Sequence, residues 1–79
     1  MKIHFVGIGG IGMSGLAKIL LVRGHRITGS DLRPCSFPGA VAGHDARNVP
    51  PDAEQVVRSA AVRDDNPEIV EARRRGCPS

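Results

Sequence analysis

Apolar and polar positions divide this chain into short, legible pieces. Ile3-His4-Phe5-Val6 is an apolar run that breaks at once into glycines, and apolar residues resume from Met13 at every third or fourth position. Lys2 to Val6 is β-branched or apolar and too short for a helix, which predicts a buried parallel strand. From Ile11 to Arg23, the residues Met13, Leu16, Ala17, Ile19 and Leu20 fall at i, i+3 and i+4. That spacing predicts a helix whose apolar stripe faces a sheet, stopped by Gly24 in the left-handed conformation. Arg26 to Asp31 reads as a second strand ending in a polar pair. Strand, helix and strand in this order make a βαβ unit, with parallel strands and a right-handed crossover.

Downstream the pattern is less regular. Pro34, Pro38 and Gly39 forbid a helix between Leu32 and Gly39, where a doubly wound fold places its second one. A parallel crossover normally needs a dozen or more residues, so the third strand, near Ala40-Val41-Ala42, should be short and irregularly joined. An apolar strip beside the first helix should be exposed in consequence. Ala46 to Ala53 is a connecting loop with at most one helical turn. Glu54 to Ser59 predicts a fourth strand with Val56 and Val57 buried, and Ser59-Ala60-Ala61-Val62 carries small residues out of it. Asp65 or Asn66 starts the last helix, with Pro67 in its first turn and Glu68 in capping-box position. Ile69, Val70 and Ala72 form its apolar side, and Gly76 ends it. Capping accounts for these acids, so no metal site is assigned to them. The predicted fold class is α/β. It is a single Rossmann-like three-layer domain over residues 1–79, with about four mostly parallel strands and the second helix shortened or missing.

Composition narrows the function. A chain of 79 residues buries only about 60–65% of the surface that its unfolded form exposes. With two Phe and neither Trp nor Tyr, the core rests on aliphatic residues and base-stacking platforms are almost absent. The net charge of +3 owes much to Arg73, Arg74 and Arg75, read as the solvated end of a helix where cations suit the dipole. No nucleic-acid partner is therefore expected. Cys35 and Cys77 make no disulfide framework. No stretch resembles a signal peptide or a membrane span, and a cytoplasmic location without a membrane partner is expected.

The chemistry centres on Gly7-Ile8-Gly9-Gly10-Ile11-Gly12, a G-x-G-x-x-G loop that leaves a strand and opens a helix. Such a loop closes backbone amides on a phosphate at the positive end of the helix dipole. Gly7 should make the tight turn, Gly9 admit the phosphates, and Gly12 let helix and strand pack closely. Asp31 lies 19 residues past Gly12, a spacing that suits an acid on ribose hydroxyls. Ser30-Asp31 opening a simple turn fits the residues equally well. His4, inside a strand, reads as packed. His44, where a parallel strand ends, is a better ligand candidate than His4 or His25.

The run from His4 to Ala17, with Gly29-Ser30-Asp31, Gly43-His44-Asp45-Ala46, Ser59-Ala60-Ala61-Val62 and Asp65-Asn66-Pro67-Glu68 in that order, resembles the N-terminal, UDP-sugar-binding domain of the Mur ligase family. The likeness is to its UDP-N-acetylmuramate–L-alanine ligases and spans nearly the whole chain. It implies a Rossmann-like module that binds the UDP part of UDP-N-acetylmuramic acid for peptidoglycan synthesis, and with it cell-wall biogenesis, cell shape and division. Carried over by position, it implies Gly9, Gly10, Ile11, Gly12, Met13 and Ser14 near the diphosphate, Ser30 and Asp31 or His44 near uridine, and Ser59 and Ala60 lining the pocket. Between Asp31 and His44 this sequence lacks roughly two helical turns that the family has. It also lacks the family's G-x-x-G-K-[ST] loop, its only lysines being Lys2 and Lys18. ATP and magnesium are therefore expected only with the further catalytic domains of a full-length ligase, the implied partners of this module. The chain alone is expected to hold no catalytic residue and no cofactor. An NAD- or FAD-binding domain, supported by the loop and Asp31, is the rival reading. A non-catalytic interaction or regulatory fragment is another.

Overall fold

The structure is a computed structural model that describes residues 1–78. Its elements are β1 (Lys2–Val6), α1 (Met13–Val22), β2 (Arg26–Asp31), β3 (Ala40–Ala42), a 3₁₀ turn (Ala46–Asn48), β4 (Gln55–Arg58) and α2 (Pro67–Arg75). The four strands form one parallel sheet in the order β3-β2-β1-β4. The chain therefore winds one way from β1 to β3 and then returns past β1 to β4, and β1 marks the reversal. Ligands in open parallel sheets collect beyond the strand C-termini at such a reversal.

Alternation along the strands sorts the side chains onto two faces. Ile3 and Phe5 of β1, Ile27 of β2, Ala40 of β3 and Val57 of β4 pack under α1 with Ile8, Met13, Ala17 and Leu20. Val6 of β1 and Val56 of β4 pack under α2 with Val49, Ile69 and Ala72. Phe5, Ile8 and Ile69 are wholly buried, each worth about 1.5–3 kcal/mol of apolar burial. α1 and α2 thus cover opposite faces, as the patterning predicts.

Three details differ from the sequence-based expectations. The connection from Leu32 to Gly39 has no helix, yet it turns Phe37 and Cys35 into the core on the α1 face. The sheet beside α1 is therefore covered, and exposed apolar residues lie on the helix itself, at Leu16, Ile19, Leu21 and Val22, and beyond the sheet edge at Leu32 and Val41. Of the predicted stripe only Met13, Ala17 and Leu20 face the sheet, whereas Leu16 is 42% and Ile19 55% exposed. Val70 likewise faces outward from α2. Arg75 is not merely solvated: it donates to the carbonyls of Val49 and Pro50 and to Glu71, pinning the end of α2 to the loop before β4.

Candidate functional site

The glycine loop runs from the C-terminal end of β1 into α1. Gly7 N–H and Ile8 N–H both donate to the Ser30 carbonyl, at 2.8 and 3.0 Å, tying the loop to β2. Gly9 N–H donates to the Asp31 carboxylate at 2.8 Å. Gly12 is the N-cap of α1 at φ 79°, a left-handed conformation that suits glycine, and no side chain caps the helix. The amides of Ile11, Gly12, Ser14 and Gly15 donate to no acceptor among the described residues. The first turn of α1 also carries no acidic residue. Open amides at a helix N-terminus attract an anion.

The glycines divide their work differently from the sequence expectation. A Cβ at Gly12 would meet nothing within 4 Å, so this residue serves the backbone turn rather than close packing. Close packing falls to Gly29, where a Cβ would lie 2.4 Å from Ile8 Cδ1 and 3.0 Å from Ile8 Cβ. A Cβ at Gly9 would press on Asp31 Oδ2 at 3.0 Å and on Cys35 Cβ at 3.2 Å, so the space it keeps free is against β2 and its following turn.

Beyond the strand ends lies a cleft of about 420 Å³, bordered by Gly7 and Gly10 of the loop, Asp31 and Leu32 after β2, His44 after β3, and Ser59 to Asn66 in part. Its volume suits a small organic ligand. Gly10, Asp31, His44 and Ser59, all singled out in the sequence, are brought together here. Gly9, Ile11, Gly12, Met13 and Ser14 belong to the loop and the α1 start beside it, with Met13 turned into the core. Ala60 lines a separate shallow hollow with Val62, Arg63, Asp64 and Asp65. Ser30 is wholly buried beneath the cleft, with its hydroxyl committed elsewhere. Arg63 borders the cleft without having been singled out, and Asn66, read only as a helix cap, borders it too.

The largest departure is Glu68. Asn66 alone caps α2, its side chain accepting from Glu68 N–H at 2.9 Å, and Pro67 opens the helix. The Glu68 side chain does not return to the cap but enters the core, where it is 0% exposed. Oε1 accepts from His4 Nε2 at 2.5 Å and from the Ser30 hydroxyl at 2.7 Å. Oε2 accepts from His44 Nδ1 at 2.9 Å, Asn48 Nδ2 at 3.1 Å and Asp45 N–H at 3.3 Å. His4, 1% exposed, joins Thr28 Oγ1 through Nδ1 at 2.7 Å. Burial alone would push the Glu68 carboxyl up, but hydrogen bonds from His4, Ser30, His44 and Asn48 outweigh it and hold the pKa near 2, below the ordinary 4.5. His4 is packed, as its strand position suggests, but as part of this polar cluster. The available signal was that His4, Thr28 and Ser30 occupy the same face of paired strands.

Comparison with known proteins bears on this site. The model of the Mur ligase family, catalytic domain, matches residues 2–79. The chain is 55% identical, over 85 residues, to the UDP-N-acetylmuramate–L-alanine ligase of Geobacter sulfurreducens, covering 98% of this chain and 18% of that protein. It is 49% identical, over 86 residues, to the ligase of the same name from Rubrobacter xylanophilus, covering 99% of this chain and 19% of that one. The crystal structure of UDP-N-acetylmuramate-alanine ligase from Thermotoga maritima matches with a TM-score of 0.87 at 41% identity, covering 99% of this chain and 20% of that one. The chain spans about a fifth of the length of these relatives.

Proposed function

The chain belongs to the Mur ligase family, and from that premise we propose that it binds the UDP end of UDP-N-acetylmuramic acid as the N-terminal module of a UDP-N-acetylmuramate–L-alanine ligase. The observation that carries this reading is the row of open amides at the start of α1, beside a cleft at the reversal point of a parallel sheet. A diphosphate accepts hydrogen bonds from Ile11, Gly12, Ser14 and Gly15 at the positive end of the helix. Arg63, which borders the cleft and is largely exposed beside Asp65, supplies a positive charge. The nucleoside lies across Asp31, Leu32 and His44, and the sugar leaves past Ser59.

The module contributes binding and orientation. Activation of the muramic carboxylate by ATP and magnesium, and attack by the amine of alanine, belong to further domains of a full-length ligase. Dinucleotide binding is less well supported, because the relatives that match nearly the whole of this chain are UDP-N-acetylmuramate–L-alanine ligases. Calorimetric titration with UDP-N-acetylmuramic acid and with NADH decides between them. Binding of the UDP-sugar with NADH weaker by at least tenfold is expected, and equal or preferred binding of NADH would overturn the assignment.

A further inference from the structure

The buried carboxylate has a consequence in the cleft. Resting on the reading of the cleft as a nucleoside diphosphate site, we propose that Glu68 is a positioning residue for ligand selection. It fixes His44 in the tautomer protonated at Nδ1, so that Nε2 meets the ligand as a hydrogen-bond acceptor.

The geometry of Nδ1 supports this directly. It lies 2.9 Å from Glu68 Oε2 and 3.2 Å from Ser30 Oγ. The Ser30 hydroxyl gives its proton to Glu68 Oε1, so the oxygen presents a lone pair to His44. Both neighbours of Nδ1 are therefore acceptors, and an unprotonated Nδ1 would set lone pair against lone pair beside a carboxylate. His44 lines the cleft, and its Nε2 takes no hydrogen bond from the described residues. The ring cannot easily rotate, because Asn48 Nδ2 joins the Gly43 carbonyl to the same Glu68 oxygen and holds the turn that carries His44. A hydrogen bond that orients one imidazole nitrogen commonly decides what the other can do. A base that offers an N–H at this place, as uracil does through N3, is accepted. Cytosine, which offers a lone pair from N3, is refused.

Two oxygens of Glu68 serve different partners, and this makes the proposal testable by substitution. At Oε1 the partners can reverse: the Ser30 hydroxyl can accept, and His4 can move its proton to Nδ1 and donate to Thr28 Oγ1. At Oε2 the backbone N–H of Asp45 and the amide of Asn48 can only donate. Glu68→Gln therefore places its carbonyl oxygen at Oε2 and its NH₂ at Oε1, leaving His44 as it was. Glu68→Leu removes the acceptor and frees the imidazole.

The test combines nitrogen-15 NMR of the His44 side chain with titrations of UDP, CDP and inorganic pyrophosphate on the whole chain. In the native chain we expect the Nδ1–H tautomer and UDP preferred over CDP by about tenfold, the weight of one hydrogen bond of about 1.4 kcal/mol. Glu68→Gln should keep the ratio, and Glu68→Leu and His44→Ala should reduce it to near one while pyrophosphate still binds. A merely structural role for Glu68 would weaken UDP and CDP equally and leave their ratio intact, which overturns the proposal. So does a proton on Nε2 in the native chain, or an equal affinity for UDP and CDP with pyrophosphate bound. Failure of the parent reading looks different, because then none of the three probes binds the native chain. If Glu68→Leu does not fold, the native spectrum and His44→Ala still decide.

Discussion

Acid should unfold this protein largely through one side chain. Glu68 is held near pKa 2 in the fold and returns to about 4.5 when the chain unfolds. Its folded value is the lower one, so the stabilisation is complete above pH 4.5 and is lost as the pH falls through the folded value near 2. A difference of this size corresponds to roughly 3 kcal/mol, against a total of about 5–15 kcal/mol for a typical domain. Urea unfolding followed by circular dichroism, repeated between neutral pH and about pH 2, measures the loss. Asp45, Asp52, Asp64 and Glu71 are also held low by arginine or lysine neighbours, so acid protonates them over an overlapping range. Asp45, Asp52 and Asp64 sit at the surface, where such pairs contribute little, whereas Glu71 is part-buried against Arg74 and Arg75 and contributes more. Glu68→Gln separates the two contributions, because the carboxamide has no proton to take up in this range. The variant should start lower at neutral pH by about 1–3 kcal/mol, the loss of charged hydrogen bonds, and then show a flatter acid limb. Parallel limbs in the native chain and the variant would refute the reasoning, since the surface carboxylates would then account for the whole slope.

Gly29→Ala should destabilise the fold by about 1–3 kcal/mol through overpacking, because its Cβ meets Ile8 at 2.4 Å. In a double-mutant cycle Ile8→Ala should recover at least about 1 kcal/mol of that loss, and strict additivity in urea melts would count against the contact. Gly9→Val should abolish UDP-sugar binding while leaving the circular dichroism spectrum unchanged. The added side chain displaces Asp31 and Cys35 and with them the loop; unaltered affinity in calorimetry would contradict the loop assignment. The 79-residue chain should release no phosphate from ATP when given UDP-N-acetylmuramic acid and alanine, and turnover above a buffer blank would show that an ATP site exists within it.

Local pattern revealed most of the fold, because most of its signals are local. β1, β2 and β3 stand where the apolar runs placed them, and Gly24 and Gly76 end their helices with φ of 92° and 74°. The glycine loop and His44 were legible for the same reason: a loop between strand and helix, and a histidine at a strand end, are recognisable from neighbours in sequence. Glu68 was not, because its partners His4, Ser30, His44 and Asn48 lie 64, 38, 24 and 20 residues away. An acid three residues after Asp65 satisfies the capping pattern whether or not its side chain turns back to the cap. Phe37 was missed similarly. A proline-rich segment shows that no helix forms, but not that one of its side chains drops into the space a helix would have filled. Phe37 and Cys35 take up part of the α1 side of the sheet, and Leu16 and Ile19 stay exposed on the helix.

The polar cluster also explains how the cleft tolerates so short a connection between β2 and β3. β3 has only three residues and its Val41 is half exposed, so apolar packing alone gives the segment after it little to hold. That segment is anchored instead from other directions: Gly43 N–H donates to the Asp31 carbonyl at 2.7 Å, and His44, Asp45 and Asn48 all donate to Glu68. The position of His44 is therefore set by α2, β1 and β2 rather than by residues 32–39. Buried charge is a poor source of net stability, because desolvation cancels much of the attraction. What it provides here is direction: five donors from three segments converge on one carboxylate, and any displacement of the His44 turn leaves a buried charge short of a partner. An aliphatic residue at position 68 could fill the same volume, but it would leave the His44 imidazole without its carboxylate partner, and the cleft would lose a fixed polar atom.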